Sequence, residues 1–268
     1  MTNPGTPEAA SGRLDDFIDV FTSPSALFAR RADGRYGLAL LVLVLGVVVL
    51  YYATASALQP VMDAEFARNS AKQLAANPQL TAEQMAAGRV FFERFGGVVF
   101  AVATLISAFL LGLNILIVGK VFGAAIQWRT AMVISSFSLL PKLLQFVADS
   151  FQALLLDEAA VAGRFSVSLG AARFLEVAGT SELVLAFFSR VDLFTLWVTV
   201  LIGIGFHVLG RLERGQAALA PSAELSQPGH VQLGALGPPV EPRLEIERAD
   251  GERVEGPAGH PEVPREIG

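Results

Sequence analysis

The polar residues whose spacing most suggests chemistry lie inside an apolar stretch near the middle of the chain. Ser135, Ser138, Lys142, Gln145 and Asp149 follow one another at intervals of 3, 4, 3 and 4 residues, the spacing that places side chains on one face of an α-helix. A lysine at the centre of an apolar helix costs about 2.5–3.5 kcal/mol on membrane-insertion scales, so Lys142 must face other helices and find a carboxylate, a carbonyl or water. Its candidate partners are Asp149, two turns along the same face, Asp192 on a later apolar segment and Asn114 on an earlier one. The seam reads as hydrogen-bonding glue between helices, with Lys142 extending outward along its flexible stem. The alternative is a solvated cavity, a substrate path or a proton relay.

Other chemistry finds no foothold. The chain has no cysteine, which removes thiolate catalysis, disulfides and cysteine metal sites. His207 falls in an apolar segment while His230 and His260 lie in a polar tail, without HExxH or paired spacing, so neither a metal nor a cofactor is expected. GxSxG, P-loop and GxGxxG patterns are missing, and no nucleophile–base pair is evident, so the chain is expected not to be an enzyme. Basic residues form no stripe of the kind that binds nucleic acid.

The seam must be held by helices in a solvent that accepts apolar surface. Of 268 residues 53% are hydrophobic and only 17% charged, with a mean hydropathy of +0.51, and the apolar residues come in long charge-free blocks. Crossing a hydrocarbon core of about 30 Å takes about 20 apolar residues. Between Arg35 and Asp63 there are 27 uncharged residues, and between Arg94 and Lys120 there are 25. The predicted spans are about 37–58, 95–119, 130–151 and 183–210, the third carrying the seam and a kink at Pro141. Gly203, Gly205 and Gly210 in the fourth read as points of close helix packing.

Arginine and lysine flanks set orientation. Arg30, Arg31 and Arg35 precede the first span, Lys120 and Arg129 join the second to the third, and Arg211 and Arg214 follow the fourth. All three clusters fall on one side, which puts both termini in the cytoplasm and residues 59–94 and 152–182 outside. Arg164, Arg173, Glu176 and Glu182 argue against a further lipid-facing crossing in that last segment. Tyr36, Tyr51, Tyr52 and Trp128 lie near the predicted span ends, as interfacial aromatics do.

Outside the spans, Asn77-Pro78 predicts a turn and Thr81-Ala82-Glu83-Gln84 a capping box, from which the second span could start as one long helix. Leu14, Phe17, Ile18 and Phe21 make an apolar stripe in the N-terminal segment 1–35, with Asp15, Asp16 and Asp19 on other faces. Ser23-Pro24 restarts a helix. The stripe reads either as an interfacial or partner-docking helix or as one packed under the bundle. Residues 211–268 read as an acidic cytoplasmic tail, disordered from Pro221 onward, apart from a conceivable short hairpin of Leu244, Ile246 and Val254 around Asp250-Gly251. Arginine outnumbers lysine 17 to 3 among the 20 basic residues, which points to a GC-rich bacterial source.

Three stretches resemble the Yip family of integral membrane proteins, known for interaction with Ypt/Rab GTPases. They are Phe21-Thr22-Ser23-Pro24 with Phe28, the segment Gly112 to Lys120 followed by a proline-bearing span, and Val191-Asp192-Leu193-Phe194-Thr195-Leu196-Trp197 leading into Gly203-Ile204-Gly205. Ser23, Pro24, Asp192, Phe194 and Trp197 carry the family-like motifs. The resemblance is to the bacterial branch and covers about residues 14–210. It implies an all-α polytopic transmembrane bundle, a non-enzymatic role through partner interaction or membrane organisation, and the lipid bilayer with membrane or cytoplasmic proteins as partners. The family norm is five spans, against four here, and the eukaryotic Asp-Leu-Tyr-Gly-Pro motif is absent. A transport component using the seam is the competing expectation.

Overall fold

The computed structural model describes residues 8–157, 160–161, 163–176 and 179–225. Among them the elements are helical: α1 (Glu8–Thr22), α2 (Pro24–Arg30), α3 (Gly37–Ala53), α4 (Ala55–Ala76), α5 (Ala82–Val121), α6 (Trp128–Ser138), α7 (Pro141–Leu155), α8 (Arg164–Val167), a 3₁₀ turn at Ala171–Phe174, α9 (Glu182–Phe188), α10 (Leu193–Val208) and α11 (Arg214–Leu225). The expected tail hairpin and the rest of the tail lie outside the described residues.

α3 shows why lipid must surround this bundle. Ala39, Leu43 and Val47 recur every four residues and are buried, while Leu41, Leu45 and Val49 on the opposite face are exposed. In water that outer face would be polar. The same outward leucine, valine and phenylalanine surface continues over α5 and α7. By length and composition α5 and the α6–α7 pair are long and apolar enough to cross a membrane, and α3–α4 makes a third if the bent pair is one span.

Each predicted span meets a local event that its hydropathy does not show. The first, expected to run unbroken over 37–58, turns by 86° between α3 and α4. Thr54 stands at the corner, its Oγ1 donating to the Leu50 carbonyl at 2.8 Å. Thr81 and Gln84 close the predicted capping box, with Gln84 N–H to Thr81 Oγ1 at 3.2 Å and Thr81 N–H to Gln84 Oε1 at 3.0 Å. From there α5 runs for 40 residues, about 60 Å at 1.5 Å per residue, so it extends well beyond the hydrocarbon core.

The third span breaks where Pro141 supplies no N–H. Leu140, Lys142 and Leu143 donate instead to carbonyls three residues back, at 3.0–3.2 Å, a 3₁₀ step between α6 and α7. The fourth, expected as one helix over 183–210, is divided by Ser189–Asp192 into α9 and a 16-residue α10. At about 24 Å, α10 is shorter than the core of a typical bilayer.

The ends of these helices gather as the charge pattern predicts. Ala125 N–H donates to Gly210 O at 3.2 Å, and Gly34, at φ +79°, lies so close to Arg129 that a Cβ there would stand 2.9 Å from the Arg129 Cβ. The basic clusters before α3, between α5 and α6, and after α10 therefore share one end of the bundle. Close packing falls where glycine permits it. A Cβ on Gly205 would meet Ile134 at 2.7 Å, and one on Gly203 would meet the Ala217 carbonyl of α11 at 3.1 Å. Ala217 and Ala220 are buried in the main core, so residues 214–225, expected as the start of the tail, are a packed helix. Tyr51 and Tyr52 lie over Gly96 and Gly97 of α5.

The N-terminal hairpin follows the packed reading, with a rotated face. Val20, Leu27 and Phe28 are buried in the main core, whereas Ile18 is 63% exposed. Phe17 faces Phe137 with ring centroids 6.5 Å apart, and Phe21 faces Trp197 at 6.0 Å. Trp197 lies in the second turn of α10, far from Gly210, so the Ser23-Pro24 turn lies alongside the bundle rather than beneath it. Asp16, expected on a polar face, is 1% exposed and pairs with both Arg30 and Arg31.

Candidate functional site

The polar seam divides at the 3₁₀ step, and each half serves a different neighbour. On α6, Ser135 is fully buried and its Oγ donates to the Ala108 carbonyl of α5 at 2.6 Å. Ser138 is buried as well, with its Oγ unpaired. On α7, Lys142 Nζ donates to Gln145 Oε1 at 2.8 Å and to Thr195 Oγ1 of α10 at 2.9 Å, and lies 3.9 Å from Asp192 Oδ2.

Asp192 is held in place by its own helix. Its Oδ1 accepts the backbone N–H groups of Phe194 at 2.9 Å and Thr195 at 3.0 Å, which makes it the N-cap of α10. Its Oδ2 accepts from Thr195 Oγ1. Lys142, Thr195 and Asp192 thus form a continuous hydrogen-bonded chain from α7 to the start of α10. With Asp192 only 4% exposed, the negative charge sits against backbone donors and the positive end of a helix, where it is best stabilised.

Of the three partners expected for Lys142, the structure supplies Asp192. Asp149 lies two turns along α7 with its Oδ1 buried and unpaired, and Asn114 on α5 has its Oδ1 buried and unpaired. Neither is hydrogen-bonded to the lysine. Sequence reasoning misses Thr195, although an aspartate just before an apolar run is an N-cap signal and would set Thr195 in the first turn beside it. It also misses the two-arginine clamp on Asp16, because Arg30 and Arg31 fit the pattern of basic flanks before a span equally well.

The family-like residues come together in the same region. Phe21, ahead of Ser23-Pro24, touches Trp197, and Asp192 and Phe194 open the helix that bears Trp197. Their packing relationship supplies a reason for the two short motifs to occur in one chain.

A helical bundle with apolar residues on both its inner and outer faces, and a lysine–carboxylate chain between two of its helices, is an integral membrane protein. A family model, the Yip1 domain, matches residues 18–225, from the middle of α1 to the end of α11, and the chain belongs to that family. No curated protein and no solved structure matches it.

Proposed function

We propose that this Yip1-domain protein is a non-enzymatic membrane component that acts through protein partners or membrane organisation, in a bacterial plasma membrane with both termini in the cytoplasm. The observation that carries the reading is the occupation of Lys142. The cation around which a transport path would be built bonds to Gln145 and Thr195 and lies beside Asp192, so it ties α7 to α10. Without the Asp-Leu-Tyr-Gly-Pro motif no GTPase partner is assigned.

A transport role is the second reading, favoured by the buried, unpaired oxygens of Asn114, Ser138 and Asp149, which would suit a wetted route. The two readings separate in one pair of measurements. Cross-linking and copurification from native membranes should return a stoichiometric partner, and the purified chain in liposomes should conduct neither protons nor small ions. Flux by the isolated chain, without a partner, would reverse the ranking.

Sidedness is testable because the chain contains no cysteine. Single cysteines at Gln79, Gln127, Ala160 and Gly215, all exposed positions, should react with an impermeant thiol reagent from outside only at Gln79 and Ala160. This follows from four crossings, with α10 and its flanking turns as the fourth. Outside labelling of Gly215 would mean an odd number of crossings.

A further inference from the structure

At the end of the bundle opposite the basic flanks, α4, α7 and α8 enclose a second small core of Val61, Ala153, Val161 and Val167. Beside it lie two arginines and one carboxylate. Glu65 Oε1 accepts the backbone N–H of Arg164 at 2.9 Å, and its Oε2 is paired with Arg68. Both oxygens of the acid are therefore engaged, and the Arg164 guanidinium has no carboxylate partner among the described residues. Two donors, Arg68 Nη1 and Arg164 Nε, are buried without an acceptor. Both guanidinium groups stand over Phe165, at 5.9 and 4.8 Å from its ring centroid, which confines them to one small region.

We propose that Arg68 and Arg164 form a binding site for a phosphate-type oxyanion, supplied by an anionic phospholipid headgroup or by free phosphate. A buried guanidinium donor left unpaired costs free energy that a phosphate oxygen recovers, and its planar fork suits that geometry. Among the described residues at the site, two cations against one acid leave a net positive charge for the ligand to neutralise. Burial and the neighbouring Arg68 hold the Arg164 pKa below the usual arginine value, with Glu65 opposing them, the condition that an added anion would relieve. A lipid source rests on the membrane reading above: α4 leaves α3 at 86°, so if α3 crosses the bilayer α4 runs along its surface at headgroup level.

The test uses the full-length chain in neutral detergent with a constant phosphatidylcholine background, following thermal unfolding by tryptophan fluorescence. Phosphatidylglycerol is titrated in one arm, and sodium phosphate against sodium chloride at matched ionic strength in the other. A ligand bound only by the folded state raises Tm with concentration, and the arm that responds identifies the source. Arg68→Gln and Arg164→Gln should each weaken the apparent affinity about tenfold or more, the loss of one charge-assisted bond. Glu65→Gln should tighten it, since it removes the competing charge, and a folding defect could not imitate that gain. No response in either arm, or equal affinity in the wild type and all three variants, would overturn the site. The phosphate arm reads the site independently of how the chain lies in a membrane.

Discussion

Replacing Asp192 with alanine is expected to be the most damaging single change in the bundle, costing about 3–5 kcal/mol, the range found when one member of a buried ion pair is removed. Two losses coincide. The N–H groups of Phe194 and Thr195 lose the acceptor that starts α10, worth about 1 kcal/mol for a typical N-cap. Lys142 is left with only the neutral oxygens of Gln145 and Thr195, a charge between apolar helices with no counter-charge at 3.9 Å. Asp192→Asn separates the two terms, because asparagine caps a helix nearly as well as aspartate yet carries no charge. It should fall between wild type and the alanine variant in thermal stability in detergent and in yield from membranes. Equal loss in both variants would assign the whole effect to charge.

How far the bundle could be read in advance depended on whether a feature repeats along the chain. The apolar blocks, the capping box at Thr81 and the grouping of basic flanks were legible because each is a pattern in sequence. The corner at Thr54 was not, since a change of helix direction leaves no trace in hydropathy, and Thr104 inside the unbroken α5 makes the same bond to a carbonyl four residues back. Nor was α11, whose buried face includes Ala217 and Ala220: Gly203 of α10 admits the α11 backbone at Ala217, a fact about the partner helix and not about the segment itself. At the site, the 3-4-3-4 spacing implied one continuous seam of five polar residues, which fall on two helices, α6 and α7. Pro141 divides it, sending Ser135 to α5 and Lys142 to α10. Asp16 was misplaced for a different reason. Its partners lie 14 and 15 residues away, beyond any helical repeat, and only the turn at Ser23-Pro24 brings them back.

Lys142→Met should leave an assembled protein, even though it too removes one member of the pair. The asymmetry lies in what remains. Asp192 keeps its bonds from Phe194 N–H, Thr195 N–H and Thr195 Oγ1 at the start of a helix, so its charge stays solvated by fixed donors. The substitution also removes the cost of holding a cation between apolar helices, while methionine fills a similar length. Lys142→Glu reverses this balance. It sets a second carboxylate against Asp192 and a second acid on the face that already bears Asp149, with no cation to offset them, and should cost about 3 kcal/mol or more by the same reasoning on unpaired buried charge. Yield, thermal stability in detergent and a cellular phenotype, measured on both variants, divide the structural role of the lysine from a conducting one. A structural lysine predicts that stability and phenotype move together, little changed in Lys142→Met and both lost in Lys142→Glu. A Lys142→Met protein as stable as the wild type but without phenotype would sink that role and return the unpaired oxygens of Asn114, Ser138 and Asp149 to the centre of the function.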